Sequence, residues 1–228
     1  MPVDHAKAYP YFIPGGSYVL YRDGWRDLPE PPCVGCRHAV VAAGSNASPD
    51  RLAAKFAPVP QLLKFPIPVL RARLYDFDAV YSAHVSRYGA IPATLARAPG
   101  AAAELYVTLL TDEQLEHMHD SEAVGVNYDF IRLDGARLEI DGGDPVDDLF
   151  AYLSRRGCLN RDGQPVALSA ITTENRLWPA MNQEQILDHV RARLEPETPL
   201  DDFIRAQIDS EETRARRTEI LAKDALRI

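Results

Sequence analysis

Residues 89–110 read GAIPATLARAPGAAAELYVTLL, and the architecture depends on how this stretch is divided. Pro99-Gly100 in its middle is a turn signal, so the stretch predicts a strand, a turn and a second strand. Upstream, residues 69–85, VLRARLYDFDAVYSAHV, alternate well enough for one or two strands. Residues 37–46, RHAVVAAGSN, are small and β-branched and look like a buried strand that stops at Gly44. ASPDRLAAKF then gives a helix start, with Ser48 as N-cap, Pro49 at the first position and Asp50 in the first turn. Downstream, TDEQLEHMHDSE opens with Thr111 and carries Gln114 three residues on, a capping box for a short helix. YDFIRLD, ARLEI and DDLFAYL are further strands, separated by Asp-Gly and Gly-Gly turns.

From PAMNQEQILDHVRARL onward the chain reads as helix, with Ile186, Leu187, Val190 and Leu194 on one face and a new helix starting at Thr198-Pro199. The charged stretch EETRARRTE reads as a solvated helix face. Strands in the middle and helices at the end, with few strand–helix–strand crossovers, predict an α+β fold whose mostly antiparallel sheet is able to curl into a barrel. Three zones are expected. Residues 1–36 form an N-terminal extension with one hairpin and a proline-rich connection, 37–195 a main domain, and 196–228 a helical tail.

The bulk properties narrow the function classes. The 228 residues are 46% hydrophobic and 25% charged, ordinary for a chain that buries a real core. A formal net charge of -8 argues against nucleic acid as a partner, because phosphate binding needs clustered cations. The longest apolar runs are too short to span a bilayer, and the early acidic residue and prolines do not read as a signal peptide. Three cysteines make no disulfide framework, so a reducing cytoplasm is expected.

One residue breaks the pattern of the 111–122 helix. Leu115 and Met118 mark its apolar side, and the next position on that side is Glu122. A carboxyl facing inward at a helix C-terminus is pushed toward the neutral form by desolvation and by the helix dipole, which suits a general base that later acts as an acid. The alternative is a helix that ends earlier and leaves Glu122 solvated in a loop.

The motifs VVAAGSN, YGAIPATLARAPGAAAELYVTLL and LEHMHDSEAVGVNYDFIRL, in that order, resemble the γ-glutamylcyclotransferase family. The correspondence covers residues 38 to about 155 and rests on Gly44, Ser45 and Asn46, on Gly89 through Thr94, and on Leu115, Asp120, Ser121, Glu122 and Tyr128. The resemblance implies a small mixed, mostly antiparallel β-barrel flanked by helices. It implies cyclisation of a γ-glutamyl group to 5-oxoproline with release of an amine, and no metal or organic cofactor. Glu122 would be the acid/base, and the backbone at Ala43, Gly44, Ser45 and Asn46 would cradle the substrate. Tyr128 would line the pocket or pack as a core aromatic, and Trp178 falls near a family position over the site. Two residues depart from the family pattern: Ala43 stands where it has tyrosine, and Ala123 where it usually has glycine. A non-catalytic binding module on the same fold is the alternative.

Two other signals compete. CVGC at 33–36, with His38 nearby and Cys158 far off, invites zinc, but no second Cys-x-x-Cys completes a ligand set. His117 and His119 lie about 200° apart on a helix and cannot share an ion without breaking it.

Overall fold

Residues 67–81 and 93–110 pair along most of their length as two long antiparallel strands, and the rest of the molecule is arranged around them. The computed structural model describes residues 2–28, 37–143, 146 and 148–227. A helix α1 (Pro2–Lys7) leads to a hairpin of β1 (Tyr18–Tyr21) and β2 (Gly24–Asp27). Then come β3 (His38–Ala42), helix α2 (Pro49–Phe56), the long strands β4 (Ile67–Tyr81) and β5 (Ala93–Leu110), and helix α3 (Asp112–Ser121). Strands β6 (Tyr128–Arg132), β7 (Leu138–Ile140) and β8 (Leu149–Ser154) complete the middle of the chain. Short pairings at Ala167–Leu168, Thr173–Glu174 and Ala180–Met181 precede helices α4 (Gln183–Leu194), α5 (Leu200–Asp209) and α6 (Glu211–Lys223).

The expected turn at Pro99-Gly100 is not a turn, because Ala93–Leu110 is one strand of 18 residues. The break falls in the register instead: Tyr75 pairs with Ala102 and Phe77 with Arg97, so Asp76 alone faces the segment 98–101. Asp76 takes φ 61 and its carboxylate accepts the Gly100 N–H at 2.7 Å. Proline lacks the ladder donor and Gly100 adopts φ 81, so the irregularity bends the strand without reversing it.

The sheet is mixed and mostly antiparallel, running in the order Ala180–Met181, Ala167–Leu168, β4, β5, β3, β8, β6. Its parallel neighbours are β3 with β8 and Ala167–Leu168 with Ala180–Met181. The α+β class holds, but the expected barrel does not close, since the two ends of this order do not pair among the described residues. The end at Ala180–Met181 is two residues long and runs at once into the Asn182 cap of α4, so it has no length left for a further strand.

Both faces of the sheet are covered, which is why β3 is continuously apolar rather than alternating. Ala39 and Val41 join one core with Leu105, Val107 and Leu109 of β5 and with Ile186, Leu187, Phe203, Ile204 and Leu221 of the C-terminal helices. Val40 and Ala42 join the other with Tyr106 and Leu110, Leu52 and Phe56 of α2, and Leu115 and Met118 of α3. Val3, Ala6 and Tyr9 lie in the first core, so the N-terminal segment packs with the C-terminal helices, where Lys7 pairs with Glu184 at 3.0 Å and Asp201 at 2.7 Å. The face of α6 is not wholly solvated: Arg217 is 1% exposed, stacked on Phe203 and bonded to Glu195 and Gln207. Among the described residues no helix is long and apolar enough to cross a membrane.

Candidate functional site

Where β3 ends, the chain turns through Ala43 and Gly44 into a short 3-10 turn, Ser45–Ala47, held by Ala47 N–H to the Gly44 carbonyl at 3.0 Å. Gly44 is required here by space. A Cβ on it would stand 2.1 Å from the Tyr9 hydroxyl and 3.2 Å from the Ala93 Cβ. The Tyr9 hydroxyl in turn accepts the Ala93 N–H at 2.8 Å. Burial raises the Tyr9 phenol far above its ordinary range, and hydrogen bonds from the backbone of Ala93 and Ser45 oppose that rise only in part. Tyr9 thus ties the loop to the start of β5. The following helix begins where expected, but Ser48 makes no side-chain cap, and its hydroxyl is buried without a partner.

The same loop floors a cavity of about 320 Å³ that Glu122 faces. The α3 capping box forms as read, with the Thr111 hydroxyl accepting from Gln114 N–H and the Gln114 side chain accepting from Thr111 N–H. Leu115 and Met118 are buried, and Glu122 continues their side as the C-cap residue. The helix then closes with Val124 N–H to the His119 carbonyl and Ala123 N–H to the Asp120 carbonyl, each at 3.1 Å, a Schellman pattern. Ala123 takes the left-handed position of that motif at φ 49, where glycine would be free of Cβ strain. The turn directs the backbone away and leaves the Glu122 carboxylate in the cavity, its side chain 13% exposed.

The carboxylate has two side-chain partners in the cavity. Asn46 Nδ2 donates to Glu122 Oε1 at 2.9 Å, and Lys55 of α2 donates to the same oxygen in a close ion pair. The Lys55 backbone is fixed by His117, whose Nε2 bonds the Lys55 carbonyl at 2.8 Å. His119 points elsewhere, to the Tyr152 hydroxyl at 3.0 Å. Among the described residues no group of three or more histidine, cysteine, aspartate or glutamate side chains is placed to hold a metal. Cys33 and Cys36 lie outside the described residues, and His38 pairs with Asp112 at 2.6 Å.

The structure brings Ala43, Gly44, Ser45, Asn46, Glu122 and Tyr128 together on one cavity. Tyr128 is both wall and core: it is 8% exposed, packs with the α2 and α3 cluster, and donates its hydroxyl to the Ala93 carbonyl at 3.2 Å. Trp178 is not a lining residue and packs against Val80, Ala96 and Cys158. Several lining residues escaped the sequence reading: Tyr9, Arg51, Lys55, His84 and Tyr88. Arg51 and Lys55 each precede a buried residue of α2, Leu52 and Phe56, so an amphipathic reading of that helix places them at the edge of its apolar face. His84 is buried, bonded through Nδ1 to Ser82 Oγ at 2.6 Å and packed edge-on to Tyr128. Burial lowers its pKa to about 4, with Arg156 acting in the same direction and Glu122 against it. It is therefore a neutral ring at physiological pH. Tyr9 comes from a segment that no local pattern links to the loop it touches.

No protein-family model matches the chain, and no curated protein matches it. Solved structures that match include a γ-glutamyl cyclotransferase, at 15% identity and a TM-score of 0.41, over 80% of this chain and 99% of that one. An uncharacterized human protein matches at 15% identity and a TM-score of 0.40, over 80% and 98%. A protein from Arabidopsis thaliana matches at 15% identity and 0.35, over 53% and 70%. A likeness at this level assigns no chemistry.

Proposed function

We propose that the chain is an enzyme of the γ-glutamylcyclotransferase type, closing a γ-glutamyl group to 5-oxoproline with release of an amine. The observation that carries this reading is the Glu122 carboxylate, held by Asn46 and Lys55 inside a cavity floored by the Ala43–Asn46 loop. Intramolecular cyclisation needs no nucleophile from the protein, because the substrate supplies its own α-amine. It needs a bent substrate, a base for the α-ammonium, donors for the developing oxyanion, and an acid for the departing nitrogen.

On this reading the Glu122 carboxylate takes a proton from the α-ammonium. The freed amine attacks the γ-carbonyl carbon, forming the ring C–N bond as the carbonyl pair moves onto oxygen. Backbone N–H groups of the 43–46 loop hold that oxyanion. The carboxyl gives its proton to the leaving nitrogen and takes the second proton from the now cationic ring nitrogen. The pair then returns and the bond to the leaving nitrogen breaks. The freed amine takes the second proton from the carboxyl and departs as an ammonium, leaving Glu122 ionised. Lys55 stands where an ammonium must come, so substrate exchanges one cation for another at Glu122. Asn46 Oδ1, buried and without a partner, is an acceptor free for a substrate N–H. The test is release of 5-oxoproline from a panel of γ-glutamyl amines and amino acids by the purified protein. Turnover supports the reading, and its absence across the panel with folded protein opposes it.

A further inference from the structure

Arg51 and Lys55 are four residues apart on α2, about 6 Å along the axis, and both line the cavity. Lys55 is matched by Glu122. Arg51 has no carboxylate partner among the described residues. Its guanidinium lies over the rings of Tyr11 and Tyr88, at 5.0 Å and 4.9 Å from their centroids, and Nη1 faces His5 Nε2 at 3.3 Å. A guanidinium can only donate, so the His5 ring is the acceptor of the pair. Burial, and after it the Arg51 charge, lower the His5 pKa. Arg51 Nε is buried with no hydrogen-bond partner.

The charge balance of the cavity points the same way. Among the described residues Arg51, Lys55 and Arg87 face it against Glu122 alone, in a chain whose formal net charge is -8. A guanidinium stacked on aromatic rings keeps its in-plane donors for a planar anion, and carboxylate fits that fork. The α-ammonium and α-carboxylate of an amino acid sit on one carbon. A head group with its ammonium at Glu122 of α3, where Lys55 now reaches, and its carboxylate at Arg51 therefore fits the spacing of Lys55 and Arg51 one turn apart on α2.

We infer that Arg51 determines substrate specificity by binding the α-carboxylate of a free γ-glutamyl compound. The substrate class is then small γ-glutamyl amides with that carboxylate intact. Peptides beginning with glutamine are refused, although they close the same ring from the same amine, because their α-carboxyl is an amide. Residues 5–11 belong to the specificity apparatus, since His5 and Tyr11 hold the guanidinium. The inference rests on the cyclotransferase reading for its substrate, and its test is built to separate the two.

The kinetic arm compares a γ-glutamyl amine with its α-carboxamide, using wild type, Arg51→Gln and Arg51→Lys. Wild type is expected to prefer the free acid, and Arg51→Gln to raise KM for it roughly 10- to 100-fold while the α-carboxamide is little affected. Arg51→Lys should recover part of the loss, which a merely structural arginine would not show. Equal losses on both compounds, or an unchanged KM, overturn the inference and leave the reaction standing. If nothing turns over, calorimetric titration with 5-oxoproline and with 2-pyrrolidinone, which lacks the carboxylate, decides the matter. Wild-type binding of 5-oxoproline alone, lost in Arg51→Gln, sustains the inference though the reaction fails. Binding of both alike, or of neither, overturns it.

Discussion

Replacing Gly44 by alanine tests the packing that sets the floor of the site. The new Cβ would lie 2.1 Å from the Tyr9 hydroxyl and 3.1 Å from the ring carbon that bears it, with Ala93 Cβ at 3.2 Å on another side. Tyr9 is 5% exposed, so it cannot swing into solvent, and the clash must be relieved by moving the ring by roughly 1 Å or more. That movement breaks the 2.8 Å bond from Ala93 N–H, leaving a buried donor unpaired. Overpacking of this kind costs about 1–3 kcal/mol and a lost buried hydrogen bond about 1 kcal/mol, so Gly44→Ala should destabilise by about 2–4 kcal/mol. Tyr9→Phe alone removes the hydroxyl and should cost about 1–2 kcal/mol. Without that oxygen the nearest obstacle is a ring carbon at 3.1 Å, and adding Gly44→Ala should then cost less than about 1 kcal/mol more. Urea unfolding of the four proteins measures the coupling. Strict additivity, or a Gly44→Ala cost below about 0.5 kcal/mol, would refute the close approach.

Lys55→Met should destabilise by about 1–3 kcal/mol, because it leaves the Glu122 charge, in a side chain only 13% exposed, without its cation. Adding Glu122→Gln should restore most of that loss in thermal melts, and failure to restore it would mean the two residues do not interact as described. His84 predicts an acid limb. Its folded pKa of about 4 lies below the ordinary 6.5, so the unfolded chain binds the extra proton first. Stability is complete above about pH 6.5 and falls by about 3 kcal/mol as pH drops to about 4. Unfolding measured at both pH values should show a shallower loss in His84→Gln, and an unchanged loss would remove His84 as its source.

What the sequence could reveal depended on whether the cause was local. The α3 cap, the inward side of Leu115, Met118 and Glu122, and the Gly44 break are written in neighbouring residues, and each was readable. Pro99-Gly100 does not reverse the chain because its turn signal is answered by Asp76 on another strand, a partner that local pattern does not name. Barrel closure likewise depends on how far the last short strand extends before α4, which alternation does not report. The carboxylate was found and its cation missed for a related reason. Glu122 violates an apolar pattern and so stands out, whereas Lys55 and Arg51 sit on a helix edge where cations are ordinary. Tyr9 enters the site through tertiary packing of the N-terminal segment on the C-terminal helices, far from the motifs that marked the loop.

On the proposed mechanism one buried carboxylate, Glu122, runs the ring closure. The most direct measurement is 5-oxoproline release from γ-glutamyl substrates by wild type and Glu122→Gln side by side, with unfolding curves showing both folded. Wild type should turn over, and kcat should fall at least about 100-fold in the near-isosteric variant. Turnover that survives the substitution would contradict it.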